Sequence, residues 1–184
     1  QKRIMAIRYF LLCCFLLLIA CEREAPQPVD QLPPATQEGA NTFGCLVDGE
    51  VFLPKNDDIF RTGYSASYSY GSRSGSARIV AYNDDLGVGF EFAFENTLFE
   101  PTYYSLPSYD TLPNTTIIPN PEILLRKDNF HPFDYRLQKG FINITALDTL
   151  DVRFVSGTFS FEFVHENDDN DTVSMTDGRF DLKF

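Results

Sequence analysis

Strict alternation of apolar and polar residues is the pattern that most constrains how this chain can fold. In residues 88–95, VGFEFAFE, phenylalanine recurs at every second position, with glutamates on the other face. Residues 158–163, TFSFEF, and 179–184, RFDLKF, repeat the arrangement, and every outward position of the last segment is charged. Because successive side chains of a strand point to opposite faces, this period of two predicts antiparallel strands with one buried face.

Turn sequences separate these predicted strands. Asp48-Gly49 lies between two apolar runs and is a preferred two-residue hairpin turn. Residues 83–87 and 167–171 are predicted turns, and 176–178 are predicted to interrupt the chain before the last strand.

The rest of the predicted β region contains loops, a short strand and a bend. Residues 107–132 are rich in proline and are predicted to form long loops around one short strand at 123–125. Gly157, inside a long β run, predicts a bulge or bend. No segment after residue 40 has helical spacing for more than about two turns. The sequence therefore predicts an all-β fold: a single antiparallel β-sandwich or partly closed barrel of roughly eight to ten strands.

The N-terminal segment resembles a bacterial lipoprotein signal. Arg3 and Arg8 flank an apolar run over residues 9–20, and Leu18-Ile19-Ala20-Cys21 has the pattern of a lipobox. In such signals the peptide is cut before the cysteine, which is then acylated, and two or three acyl chains anchor a protein firmly. We expect a signal peptide over residues 1–20 and lipidation at Cys21. The alternatives are a secretory signal with an incidental cysteine, or a short buried helix.

Residues 21–40 are predicted to be the lipidated cysteine and a flexible tether, followed by a β domain over 41–184. Residues 22–40 contain four prolines and few side chains that could pack. Glu22 and Glu24 resemble the signal that exports some Bacteroidota lipoproteins to the cell surface. The predicted location is the outer membrane, with its periplasmic face and the cell surface both left open.

Charge and cysteine content narrow the function classes. Removal of residues 1–20, which carry three basic residues and no acidic one, leaves 12 basic and 26 acidic residues, a net charge of −14. This balance argues against a nucleic-acid partner, which needs basic patches. Only Cys45 would stay unmodified, so an internal disulfide is excluded. Its strand-like context predicts a buried thiol, and a reactive or intermolecular thiol is the alternative.

Four segments carry a likeness to a known family. They are LPPATQEG at 32–39, NTFGCLVDG at 41–49, VSGTFSF at 155–161 and TDGRFD at 176–181. Together they resemble a family of Bacteroidota lipoproteins of unknown function. The resemblance implies a secreted, lipid-anchored β domain with no catalytic residue to carry over. Proteins of this phylum are O-glycosylated at Asp-Ser/Thr-apolar motifs, for which the candidate acceptors here are Thr111, Thr149 and Thr172.

Residues that could carry chemistry form no recognisable catalytic set. Neither His131 nor His165 has a local partner at zinc-ligand spacing, and no nucleophile elbow is present. Glu91, Glu95 and Glu162 alternate onto the face opposite the phenylalanines and are predicted to be solvated, unlike the acid of a glycosidase pair. The acidic turns depart from EF-hand spacing. The sequence predicts no enzyme, no cofactor and no metal site.

The segment 64–70, YSASYSY, is the candidate binding surface. Tyr64, Tyr68 and Tyr70 offer rigid rings with polar tips, which suit glycan or protein ligands. The alternative is an ordinary strand whose tyrosines lie on its buried side.

Three functions remain as hypotheses. The first is an outer-membrane-anchored, non-enzymatic β domain that contacts the membrane through its lipid and binds an envelope protein or glycan. The second is a lipocalin-like carrier, in which the phenylalanines of residues 90–94 and 159–163 line a cavity. The third is an envelope hydrolase. Two stacked sheets with a filled interior would argue against the carrier.

Overall fold

The computed structural model describes residues 26–55, 63–70, 75–97, 101–106, 121–127 and 134–184, and this part of the chain is almost entirely β. Its ten strands are β1 (Thr42–Val47), β2 (Glu50–Phe52), β3 (Tyr64–Tyr70), β4 (Gly75–Asn83), β5 (Val88–Thr97), β6 (Tyr103–Leu106), β7 (Glu122–Lys127), β8 (Tyr135–Asp148), β9 (Phe154–His165) and β10 (Asp168–Lys183). A six-stranded antiparallel sheet has the order β2-β1-β10-β9-β8-β6, and a four-stranded one has the order β3-β4-β5-β7. The prediction of an all-β fold is confirmed, in the form of two sheets that do not close into a barrel. Among these residues no helix is long and apolar enough to cross a membrane.

The turn predictions hold at two hairpins and fail in β10. Asp48 and Gly49 have φ angles of 50° and 85°, as a two-residue turn with left-handed backbone requires. The loop at 83–87 joins β4 to β5 as predicted. The predicted interruption at 176–178 is instead a register shift within one continuous strand, between Met175 and Gly178. A bulge lets the strand bend without ending, so a glycine there does not terminate it.

Two further predictions on the β9–β10 hairpin also need correction. The predicted turn at 167–171 ends early, because β10 begins at Asp168. The bulge predicted at Gly157 lies across from it, on β8, where the register shifts between Ile144 and Ala146. Gly157 itself stays in the ladder, paired with Phe180 and Ile144.

Phenylalanine rings from both sheets fill the space between them. Phe92 of the four-stranded sheet lies 5.0 Å from Phe159 and 5.4 Å from Phe161 of the six-stranded sheet, measured between ring centroids. Phe94 and Phe163 are also fully buried. Each buried ring contributes about 1.5–3 kcal/mol by removal from water. The carrier hypothesis required these rings to line a cavity in a closed barrel; they pack against one another instead.

Cys45 confirms the prediction of a buried thiol. Its side chain has no exposed surface, and its neighbour in the ladder is the buried Phe52 of β2. Burial raises the pKa of the Cys45 thiol far above its ordinary value.

The segment before β1, where a flexible tether was predicted, lies against the six-stranded sheet from residue 28 onward. Pro28–Gln31 forms a 3₁₀ turn, and Leu32 is buried. Asp181, which alternation places on the outer face, lies beneath this segment with 1% of its surface exposed. Its carboxylate accepts backbone N–H groups of Glu38, Gly39 and Ala40 at 3.1, 2.8 and 3.0 Å. These bonds make the second half of the predicted tether part of the β domain.

Candidate binding groove on the four-stranded sheet

The outer face of the four-stranded sheet contains an open groove of about 700 Å³. Its floor follows from the register: Gly89 on β5 lies opposite Tyr82 on β4, and Glu91 lies opposite Val80. On the other side of β5, Leu124 of β7 pairs with Glu91. Gly89 has no side chain, so the larger side chains of β4 and β7 rise on both sides of β5. The groove is a direct result of strand alternation combined with this glycine. It is lined by Arg78, Val80, Tyr82, Asn83, Asp84, Gly87, Gly89, Glu91, Leu124 and Arg126, together with the buried residues Ala81, Val88 and Phe90.

An ion pair is fixed on the groove floor. The Arg78 guanidinium donates through Nη2 to Oε2 of Glu91 at 2.6 Å and through Nε to Oε1. The Glu91 side chain is 20% exposed and that of Arg78 is 59% exposed. The hydrogen bond to Glu91 raises the pKa of Arg78, and the attraction between the two charges adds to it, while slight burial opposes both. Two parallel bonds fix the orientation of both groups, which a single contact would not.

The turn at one end of the groove is held rigidly. The Asn83 side chain donates to the Leu53 carbonyl at 2.7 Å and accepts the Leu86 N–H at 3.0 Å. The Lys55 backbone N–H donates to the Tyr82 carbonyl at 3.0 Å, and the Tyr82 N–H donates to the Gly63 carbonyl at 2.8 Å. An ion pair between Lys55 and Asp85 adds a further link. The chain after β2 thus supports the strand that carries the groove, which limits how far the site can move.

The groove is electrically balanced within an acidic protein. The whole chain carries a net charge of −11. The groove lining contains two arginines, Arg78 and Arg126, and two acids, Asp84 and Glu91. Arg126 is exposed, and no ion pair joins it to another described residue. A mixed lining of fixed donors, fixed acceptors and apolar walls suits a polar ligand without net charge.

Of the tyrosines predicted as a binding surface, Tyr64 is described in full, and it is not among the residues that line the groove. Tyr64 is half-buried and packs against the core, while Ser65 and Ser67 of the same strand are exposed. Tyr64 is therefore on the inner face, as the alternative of an ordinary strand with a buried side expects, and the binding role of these tyrosines stays a prediction. Tyr68 and Tyr70 pair in register with Ala77 and Gly75, and their side chains lie outside the described residues.

Two of the four predicted modification residues, Thr149 and Thr172, lie within the described residues. Cys21 and Thr111 lie outside the described residues. Thr149 is half-buried at the bend after β8, and Thr172 is exposed on β10. In the motif that contains Thr149, the Asp148 carboxylate accepts the N–H groups of Leu150, Asp151 and Val152 at 2.8, 3.0 and 2.9 Å. These bonds, led by the one from Asp151, lower the pKa of Asp148. Acylation and glycosylation stay predictions.

Two further candidate side chains, His165 and Glu162, are not among the residues that line the groove. His131 lies outside the described residues, and His165 accepts the Asn167 N–H through Nδ1 at 3.2 Å. His165 also lies edge-on to Tyr135, with ring centroids 5.2 Å apart. Glu162 pairs with Lys139 on the outer face of the other sheet at 2.7 Å. Within the described ranges, no three His, Cys, Asp or Glu side chains are grouped so as to hold a metal ion.

Sequence reasoning missed the Arg78–Glu91 pair, although a signal for it was present. The predicted turn at 83–87 fixes Asn83 opposite Val88. Counting three residues away from the turn on each strand then sets Val80 opposite Glu91. Arg78 then lies one outward position farther along β4, diagonal to Glu91, within reach of a long side chain. The groove itself needed the position of β7, which is distant in sequence.

Comparison of the chain with protein-family models, with curated proteins and with solved structures gives no match. The structure defines an all-β, two-sheet domain, and a fold of this kind does not by itself specify a function.

Proposed function

We propose that this chain is a non-enzymatic binding module of the bacterial cell envelope, held on the outer membrane by acylated Cys21, and that it binds a glycan strand in the groove of the four-stranded sheet. The observation that carries the proposal is the open groove with a fixed Arg78–Glu91 pair, the ring of Tyr82 and apolar walls from Val80 and Leu124. Saccharides present hydroxyls and apolar ring faces together, and this lining offers partners for both.

A glycan fits this face better than a peptide does. Extended peptides commonly bind by adding a strand to a sheet edge, where backbone groups are unpaired. The centre of the groove is β5, whose backbone is already paired with β4 on one side and β7 on the other. Recognition here must therefore use side chains and ring faces. The groove is open rather than enclosed, which accommodates a polymer.

Affinity electrophoresis through gels containing dextran, yeast mannan or arabinogalactan tests this function. At least one polymer should retard the wild-type protein, and Tyr82→Ala should weaken that interaction about tenfold or more. Gly89→Ala should also weaken it, because the added Cβ would lie on the groove floor, 3.1 Å from Cβ of Tyr82. Lys139→Ala, on the outer face of the other sheet, is the matched control and should bind like the wild type.

Two results would overturn the proposal. One is the absence of retardation by all three polymers. The other is retardation that Tyr82→Ala and Gly89→Ala leave unchanged, which would locate binding elsewhere on the protein.

A further inference from the structure

We infer that the Arg78–Glu91 pair recognises two adjacent hydroxyl groups of an uncharged sugar. This inference rests on the proposed glycan-binding function and states which chemical groups of the glycan the groove recognises. The pair retains unused hydrogen-bonding capacity on both partners. Arg78 uses Nε and Nη2 on Glu91, which leaves both N–H bonds of Nη1 available. The Glu91 carboxylate has about four acceptor positions, of which Arg78 occupies two.

A donor and an acceptor are thus held side by side on the groove floor. A sugar hydroxyl can both donate and accept. One hydroxyl of an adjacent pair can donate to Glu91 while its neighbour accepts from Nη1 of Arg78. The bidentate ion pair fixes both partners before the ligand arrives, so little rotamer entropy is lost on binding.

The residues around the ion pair strengthen its hydrogen bonds to a ligand and favour an uncharged ligand. Glu91 is flanked by Val80 of β4 on one side and by Leu124 of β7 on the other. The side chains of Val80 and Leu124 are both half-buried. Hydrogen bonds beside apolar walls are stronger than those in open water. A carboxylate or sulfate on the ligand would compete with Glu91 for Arg78, and the net charge of −11 repels anions at longer range. The site therefore selects neutral sugars.

Tyr82 extends the site along the strands. It faces Gly89, two residues from Glu91 on β5, so the ring and the ion pair are separated by roughly 7 Å along the strand. That separation makes the ring and the ion pair adjacent subsites in one groove. The ring contacts an apolar sugar face, and the ion pair reads the hydroxyls.

Periodate treatment tests the inference on the ligand side. Periodate cleaves the carbon–carbon bond between adjacent hydroxyl-bearing carbons, and borohydride reduction of the resulting aldehydes leaves the polymer uncharged. The polymer that retards the wild-type protein, among dextran, mannan and arabinogalactan, is compared before and after this treatment. Affinity for the treated polymer should fall about tenfold or more.

Substitutions test it on the protein side. Arg78→Lys keeps the charge but loses the fork, and Glu91→Gln keeps the shape but loses the charge. Each should weaken binding about tenfold or more, with thermal unfolding close to that of the wild type. Lys139→Ala, which breaks the comparable surface pair with Glu162, should leave binding unchanged.

The outcomes separate the two proposals. If the treated polymer binds as tightly as the untreated one while Tyr82→Ala still weakens binding, the diol inference is wrong and the glycan-binding function stands. Stronger retardation by alginate, an anionic polymer, than by any neutral polymer would also overturn the inference. If no polymer binds, both proposals fail together. The periodate comparison needs only the wild-type protein, so it tests the diol inference even if a variant fails to fold.

Discussion

The hydroxyl of Ser156 on β9 donates to the carboxylate of Asp181 on β10 at 2.6 Å, beneath the segment that precedes β1. Thr36 of that segment donates to the same carboxylate at 2.6 Å. Burial on its own would raise the pKa of Asp181, but the hydrogen bonds from Ser156, Thr36 and the backbone outweigh it and lower the pKa to about 2. One carboxylate thus joins the N-terminal segment to the last two strands.

We expect Asp181→Asn to destabilise the domain by about 2–4 kcal/mol, because several hydrogen bonds to a buried charge are lost or inverted together. Urea unfolding measures this change. Limited proteolysis should also show faster cleavage within residues 27–40. Asp177→Asn, an exposed substitution on the same strand with the same charge change, should stay within about 0.5 kcal/mol of the wild type. Equal unfolding midpoints for Asp181→Asn and the wild type would contradict the assigned role.

The same carboxylate predicts a dependence of stability on pH. Since the pKa of Asp181 is lowered from 3.8 to about 2, its contribution is complete above the unfolded-state value and is lost as pH falls toward about 2. The difference in unfolding free energy between wild type and Asp181→Asn should therefore shrink as pH is lowered from about 5 to about 2. Comparing the two proteins cancels the titration of the other acids. A difference that stays constant over this range would show that Asp181 does not titrate as assigned.

The sequence predicts the strands and their buried faces, but it does not predict which distant residues pack against them. Alternation in residues 88–95 was enough to predict β5 and its buried face, because it depends only on neighbouring residues. The same rule correctly places Asp181 on the outward face. It does not predict the burial of this carboxylate, because the residues that cover it, 36–40, lie about 140 residues away in the sequence. Assignment of β7 to the four-stranded sheet, which completes the groove, is likewise a long-range event that no local pattern encodes.

Gly157 provides a test of close packing between β9 and its neighbours. A Cβ at this position would lie 2.5 Å from the Asn143 carbonyl oxygen and 2.6 Å from Cζ of Phe180. Gly157→Ala should therefore destabilise the domain by about 1–3 kcal/mol through steric overlap. Thermal or urea unfolding measures this cost.

Gly49 is the matched control, because its substitution acts through the backbone alone. Nothing lies within 4 Å of a Cβ placed there, but its φ is 85°. Gly49→Ala should cost about 1 kcal/mol, and Gly49→Asn should recover part of it because asparagine tolerates left-handed backbone. Asparagine at position 157 should be at least as destabilising as alanine. Recovery of stability by asparagine at both positions would contradict the steric explanation for Gly157.

Cys45 should be unreactive in the folded protein, because a thiol must ionise to react and burial raises the pKa of this one. Iodoacetamide at about pH 8 should leave Cys45 unmodified in native protein and modify it after denaturation, as read by mass spectrometry of the peptide that contains it. Leu150→Cys provides the comparison, since Leu150 is 93% exposed on the turn after β8 and a thiol there should react at once. Modification of Cys45 at the rate of that exposed thiol, under conditions where the domain stays folded, would show that the core between β1 and β2 opens readily to solvent.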